Sequence, residues 1–120
     1  MYFENTGLED IKVDIDLLND VMSKHGLTKE GQWDYERATF DRKFVIREGT
    51  FYLRVFSYAI DGDVDTNDAI MKVMKPALGK YYYPFGVEYG EDEVFPEHLV
   101  KTCKDILATI SSELSAFIIK

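Results

Sequence analysis

The run from Thr50 to Asp65, TFYLRVFSYAIDGDVD, constrains the fold more than any other segment, because its period of two dictates an extended strand. Alternation places Phe51, Leu53, Val55, Ser57 and Ala59 on one face and Tyr52, Arg54, Phe56, Tyr58 and Ile60 on the other. Both faces carry bulk, so neither is a plain solvent face. The strand is expected to stop at Asp61-Gly62 and open into an acidic loop.

The preceding run, Thr39 to Arg47, has the same character, and Glu48-Gly49 supplies a two-residue turn in which glycine accepts positive φ at low cost. The hairpin register set by that turn would pair Ile46 with Phe51, Phe44 with Leu53, Arg42 with Val55 and Phe40 with Ser57 on a mostly apolar face. On the opposite face it would pair Val45 with Tyr52, Lys43 with Arg54 and Asp41 with Phe56. Lys43 against Arg54 is a like-charge pair, and Asp41, on the diagonal, is the nearest group able to offset it.

With 120 residues, 46% of them hydrophobic and 14% aromatic, the chain is read as one globular domain spanning 1–120. A net charge of -8 and a pI near 4.7 argue against nucleic acid and anionic membrane surfaces, which bind through clustered Lys and Arg. Acidity of this kind serves solubility first, and an acidic face for a basic protein partner stays open. Cys103 is the only cysteine, so no intramolecular disulfide exists and a reducing compartment is expected. The first nine residues lack the basic and apolar regions of a signal peptide, and no apolar run approaches the roughly 20 residues of a membrane span. A cytoplasmic location is the expectation.

Asp14 is placed to cap a helix running to about His25, with Leu17, Leu18, Val21 and Met22 on one face and Gly26 ending it in the left-handed conformation. Leu8, Ile11 and Val13 precede it as a short extended arm. Gln32 to Tyr35 is expected to enter the sheet, with a turn around Glu36 to Ala38 before the next strand. Ala69 to Lys75 reads as a strand ended by Pro76, and Lys80 to Tyr89, broken by Pro84 and Gly86, as an edge or irregular strand. Pro96 suits the first position of a C-terminal helix whose apolar residues recur at Leu99, Cys103, Ile106, Leu107, Ile110, Leu114, Phe117 and Ile118. Extended nearly to Lys120, that helix would be about 36 Å long. The expected architecture is α+β: an antiparallel sheet covered by the long C-terminal helix, with a shorter N-terminal helix. Its core should contain Phe40, Phe44, Ile46, Leu53, Val55, Ile106, Leu107 and Ile110.

No run of residues assembles a catalytic constellation. Asp61, Asp63 and Asp65 resemble the start of a calcium loop, but Thr66 stands where that loop needs Gly and Lys72 where it needs a bidentate Glu. No metal site and no cofactor are expected. Glu91-Asp92-Glu93 is explained by the dipole at the start of the last helix, and His25 and His98 by positions near helix ends. Cys103 lies on the apolar stripe, where a thiol is a small hydrophobe. The remaining lead is the surplus of amphipathic rings, Trp33, Tyr35, Tyr52, Tyr58 and Tyr81 to Tyr83, beside Lys43 and Arg54.

Gln32-Trp33-Asp34-Tyr35, Thr39-Phe40-Asp41-x-Lys43, Tyr52-Leu53-Arg54-Val55 and Ala59-x-Asp61-Gly62-x-x-Asp65 together resemble the YugN-like family of Gram-positive spore formers. The resemblance is most specific from Trp33 to Asp65. It implies a small cytoplasmic bacterial protein with no assigned ligand and lends no catalytic residue.

Two functions follow as expectations. The first is a non-enzymatic binding or regulatory module acting as a homo-oligomer, a dimer joined through the apolar helix and the aromatic sheet face, with a protein partner also open. The second is a small-ligand site or enzyme on the polar aromatic face, with Arg54 and Lys43 holding an anion, Asp41 as base and Tyr52 and Tyr58 as walls; Trp33 and Tyr35 join these as candidate ligand- or partner-binding residues.

Overall fold

In the computed structural model, residues 1–29, 36–64, 68–82, 86–90 and 93–119 are described. The strand expected at Thr50 is β4 (Gly49–Asp63), and every other strand is arranged around it. β3 (Arg37–Ile46) pairs along one side of β4. Two strands share its other side: β5 (Asp68–Val73) pairs from Ser57 to Asp63, and β6 (Ala77–Tyr82) from Phe51 to Arg54. β1 (Lys12–Asp14) extends the sheet beyond β5, β2 (Thr28–Lys29) beyond β3 and β7 (Gly86–Glu88) beyond β6, every pair antiparallel. The protein is therefore α+β, with α1 (Ile15–Lys24) and the longer α2 (Glu97–Leu114) added to a sheet that has seven strands among the described residues.

The hairpin register differs from the expected one by two residues. Ile46 pairs with Gly49 across a turn formed by Arg47 and Glu48, so Phe44 faces Phe51, Phe40 faces Val55 and Asp41 faces Arg54. A two-residue slip preserves the faces, because the side-chain period is two. What separates the two registers is charge: the expected one opposes Lys43 and Arg54, while the observed one opposes Asp41 and Arg54 and leaves Lys43 across from Tyr52.

β4 also outruns its expected end. A bulge between Ala59 and Asp61 displaces Ile60, and Asp61, Gly62 and Asp63 then pair with Ile70, Ala69 and Asp68, so the start of the expected acidic loop is still strand. Gly62 has φ +82°, and a Cβ there would lie 1.9 Å from the Asp68 carbonyl oxygen. Asp65 lies outside the described residues, as do Gln32 to Tyr35 and with them Trp33. The turn expected at Glu36 to Ala38 is corrected, since Arg37 and Ala38 already pair with Tyr58 and Ser57.

The segment Lys80 to Tyr89 contains a hairpin, with β6 starting earlier, at Ala77, and β7 pairing back on it. α1 is capped as expected: the Asp14 carboxylate accepts the Asp16 N–H at 2.8 Å, and the Leu27 N–H reaches back to the Met22 carbonyl at 2.9 Å beyond Gly26. α2 is shorter than expected, about 27 Å at 1.5 Å per residue for its 18 residues. Pro96 is its N-cap and not its first residue, and past Leu114 the chain tightens into a 3-10 turn, Ser115–Phe117, that lets the Ile119 N–H bond the Lys12 carbonyl. Phe117 and Ile118 are therefore exposed and do not continue the buried stripe.

Inward-facing Phe40, Phe51, Leu53 and Val55 pack in one core with Leu18 and Met22 of α1 and Leu99, Cys103, Leu107 and Ile110 of α2. Phe44, Ile46 and Ile106 are only partly buried, at its margin. Among the described residues no helix is long and apolar enough to cross a membrane.

Gly62→Ala should lower unfolding free energy by at least about 2 kcal/mol, combining left-handed strain with a backbone clash. Gly86→Ala, at φ +94° with nothing within 4 Å of the added Cβ, carries only the strain, about 1 to 2 kcal/mol. Urea denaturation of the pair checks this; equal losses would remove the clash from the account.

Candidate functional site

The outward face of the hairpin carries, in every second ladder pair, Arg37 with Tyr58, Thr39 with Phe56 and Asp41 with Arg54. The last pair is bidentate: Arg54 Nε and Nη2 donate to Asp41 Oδ1 and Oδ2, both at 2.6 Å. Arg54 Nη1 donates to the Tyr89 hydroxyl at 2.5 Å. All three guanidinium nitrogens are thus engaged within the protein. The Asp41 hydrogen bonds push the Arg54 pKa up, against the effect of burial. Tyr89 is raised because burial outweighs the opposing charge of Arg54.

Tyr89 reaches Arg54 by lying across β6. Its route passes Gly79, where a Cβ would stand 2.2 Å from Val87 Cγ1 and 2.8 Å from the Tyr89 ring. The Tyr89 ring then meets Phe56 edge-on at 6.5 Å between centroids and Tyr2 at 6.0 Å. Tyr2 is brought in by a bridge to Ala77, continued by the Phe3 N–H on the Pro76 carbonyl at 2.9 Å.

Beyond this cluster the face is concave. β5 hands over to β6 at Met74-Lys75-Pro76; the Met74 N–H still bonds the Phe56 carbonyl at 2.8 Å, but Pro76 has no N–H to continue a ladder. The resulting hollow holds about 690 Å³ and is lined by Thr39, Phe56, Tyr58, Met74 and Tyr2, with Glu36, Arg37 and Lys75 among its charged groups. Tyr2 and Met74 are 53% and 47% exposed, large for apolar groups. Lys75 Nζ is 2.8 Å from Glu4 Oε1 in a pair open to solvent.

Of the residues singled out from sequence, Asp41 and Arg54 meet directly and Tyr58 lines the hollow. Tyr52 instead packs edge-on against Tyr81, at 6.0 Å, and Lys43 is exposed opposite it. Trp33 and Tyr35 lie outside the described residues. Tyr2, Met74 and Tyr89 were missed, since each arrives from a segment remote in sequence; the glycine at 79 beside an aromatic strand is the one signal that pointed to a ring lying over it. Glu93 accepts the Tyr82 hydroxyl and does not cap α2. Burial pushes the Cys103 thiol up to about 12. Among the described residues no group of three or more His, Cys, Asp or Glu side chains could hold a metal ion.

Fold and face together define a small α+β protein whose antiparallel sheet buries one side beneath two helices and keeps the other as a concave aromatic surface. The chain belongs to the YugN-like family, whose pattern it matches over residues 4–105. It is similar to the uncharacterized protein YlbA of Bacillus subtilis (strain 168), 48% identical over 112 residues, 93% of each chain. The uncharacterized protein YugN of the same organism is 28% identical over 71 residues, 59% of this chain and 53% of that one. The crystal structure of the uncharacterized conserved protein YugN from Geobacillus kaustophilus HTA426 superposes with a TM-score of 0.85 at 50% identity, covering 97% of this chain and 96% of that one.

Asp41→Ala should cost about 2 to 3 kcal/mol of stability, below the 3 to 5 of a fully buried pair because Arg54 keeps some solvent. Asp41→Leu with Arg54→Met, which removes both charges, should recover at least about half of that loss. Denaturant melts of the single and double variants decide it; a double variant less stable than the single one would show that the pair's attraction dominates its desolvation.

Proposed function

We propose that this protein is a non-enzymatic binding module of the cytoplasm, with the hollow on the outer sheet face as its small-ligand site. The observation that carries the reading is the hollow itself: its size falls within the range of small-molecule sites, and rings and a thioether dominate its walls. A binding role is favoured over a catalytic one because Asp41, the residue expected to act as base, has both carboxylate oxygens engaged by Arg54. Lys43 stands on another part of the face, so the expected anion site of Lys43 and Arg54 has no supporting contact. Burial of the single thiol is consistent with a reducing compartment.

N-phenyl-1-naphthylamine, an uncharged fluorophore, should bind wild type saturably at one site. Phe56→Ala should weaken it about tenfold, as loss of an aromatic wall implies, and Thr39→Trp, filling the floor, should abolish it. Unsaturable emission, or emission indifferent to both variants in folded protein, would sink the reading.

Self-association rests on a second surface. Phe117, Ile118 and Ile119 are each about 40% exposed at the end of α2; Phe117 lines a groove of about 390 Å³ together with Leu17, Val21 and Ala116 and the charged Asp20, Lys24 and Glu113. One chain thus presents an apolar projection beside a groove of mixed apolar and charged lining, and a two-fold dimer in which each copy's Ile118 and Ile119 enter the other's groove would bury both. Sedimentation equilibrium at micromolar concentration should give a dimer for wild type and a monomer for Ile118→Ser; a monomeric wild type removes this part of the proposal.

A further inference from the structure

We propose that the ligand of the outer-face hollow is an uncharged, planar fused-ring aromatic compound, held by the rings of Tyr2, Phe56 and Tyr58 and the thioether of Met74. The inference rests on the binding role proposed above and adds the ligand's chemistry to it. Its first support is the charge on this face, which cancels pair by pair. Lys75 Nζ lies 2.8 Å from Glu4 Oε1, Lys72 Nζ 3.4 Å from Asp10 Oδ1 and Arg54 Nε 2.6 Å from Asp41 Oδ1. Arg37 and Glu36, opposite in sign, also line the hollow, and each already interacts within the protein. An anion that took Lys75 would release Glu4, and a cation that took Glu4 would release Lys75. Either exchange replaces one exposed ion pair with another and gains little, while the incoming ion still loses water. An uncharged ligand leaves every pair intact.

The second support is the kind of apolar surface. Phe56 and Tyr58 stand two residues apart on the outward face of β4, about 7 Å along the strand. Tyr58 is hydrogen-bonded with Lys72, and Phe56 packs on the Tyr89 ring with 6.5 Å between centroids. Tyr89 also meets Tyr2, at 6.0 Å, so the Phe56 ring of the floor and the Tyr2 ring of the rim are tied to a common third ring. Met74 adds a polarizable sulfur, which makes favourable contacts with ring edges. From Thr39 on β3 across β4 to Met74 beyond β5 the floor spans two strand spacings, roughly 10 Å, so a fused-ring body can lie flat on it. A saturated skeleton of the same carbons fills the same space but forgoes the ring–ring and sulfur–ring attractions.

The test measures displacement of N-phenyl-1-naphthylamine by competitors built on one bicyclic skeleton: 2-naphthol, its saturated counterpart decahydro-2-naphthol, the 2-naphthoate anion and the 2-naphthylmethylammonium cation. 2-Naphthol should bind about tenfold tighter than decahydro-2-naphthol, the scale of two ring contacts. Both ions should bind more weakly than 2-naphthol. Phe56→Leu and Tyr2→Leu, each checked for native melting, keep an apolar side chain but remove a ring, and each should cut the aromatic preference to about threefold. Tyr52→Leu removes a ring of the same face away from the hollow and should leave that preference unchanged. Decahydro-2-naphthol binding as tightly as 2-naphthol, or a preference that falls equally in Tyr52→Leu, overturns the aromatic assignment. Either ion binding as tightly as 2-naphthol overturns the uncharged one. Both of these results leave the binding role standing, whereas unsaturable emission from the probe overturns the binding role itself.

Discussion

The pairing of Asp41 with Arg54 sets the geometry on which the outer face depends. Two hairpin registers, differing by two residues, bury the same side chains, so the hydrophobic effect scarcely separates them. Electrostatics does. In one register two cations oppose each other, and in the other a carboxylate meets a guanidinium through two hydrogen bonds of 2.6 Å. Once that register holds, Thr39 stands beside Phe56 and Arg37 beside Tyr58, which is the arrangement the floor of the hollow requires.

The hollow itself follows from one proline and one glycine. β5 and β6 lie end to end along β4, and the break between them falls at Pro76, where the ladder loses a donor. The backbone of the N-terminal arm fills that gap by bonding Pro76 and Ala77, carrying Tyr2 to the rim. Gly79, two ladder pairs beyond Ala77, then leaves room for Tyr89 to cross the strand and brace Arg54, Phe56 and Tyr2 together.

Much of this architecture was legible because it is local. Alternation from Phe51 to Ala59 identified the strand and sorted its faces, and Asp14 and Gly26 marked both ends of α1 because capping is decided within a few residues. The register was not, because Arg47-Glu48 and Glu48-Gly49 are both acceptable turns and the choice lies in a contact 13 residues apart in sequence. The extent of α2 was overread for a related reason: the apolar stripe continues through Phe117 and Ile118, but the tail turns away to bond β1, which no periodicity encodes. In the same way Asp41, Arg54 and Tyr58 could be picked out on one strand pair, while Tyr2, Met74 and Tyr89 join them only through the fold.

The two faces of β4 consequently do different work with similar residues. Inward, Phe51, Leu53 and Val55 are wholly buried and supply stability. Outward, Phe56 and Tyr58 are only half covered, although a sheet with a second helical layer would bury them as well. Both rings are nonetheless held by neighbours, Phe56 by the Tyr89 ring and Tyr58 by a hydrogen bond with Lys72. A surface that stays partly open yet is already ordered loses little conformational entropy when a ligand covers it, and this preorganisation is what separates a recognition surface from uncovered core.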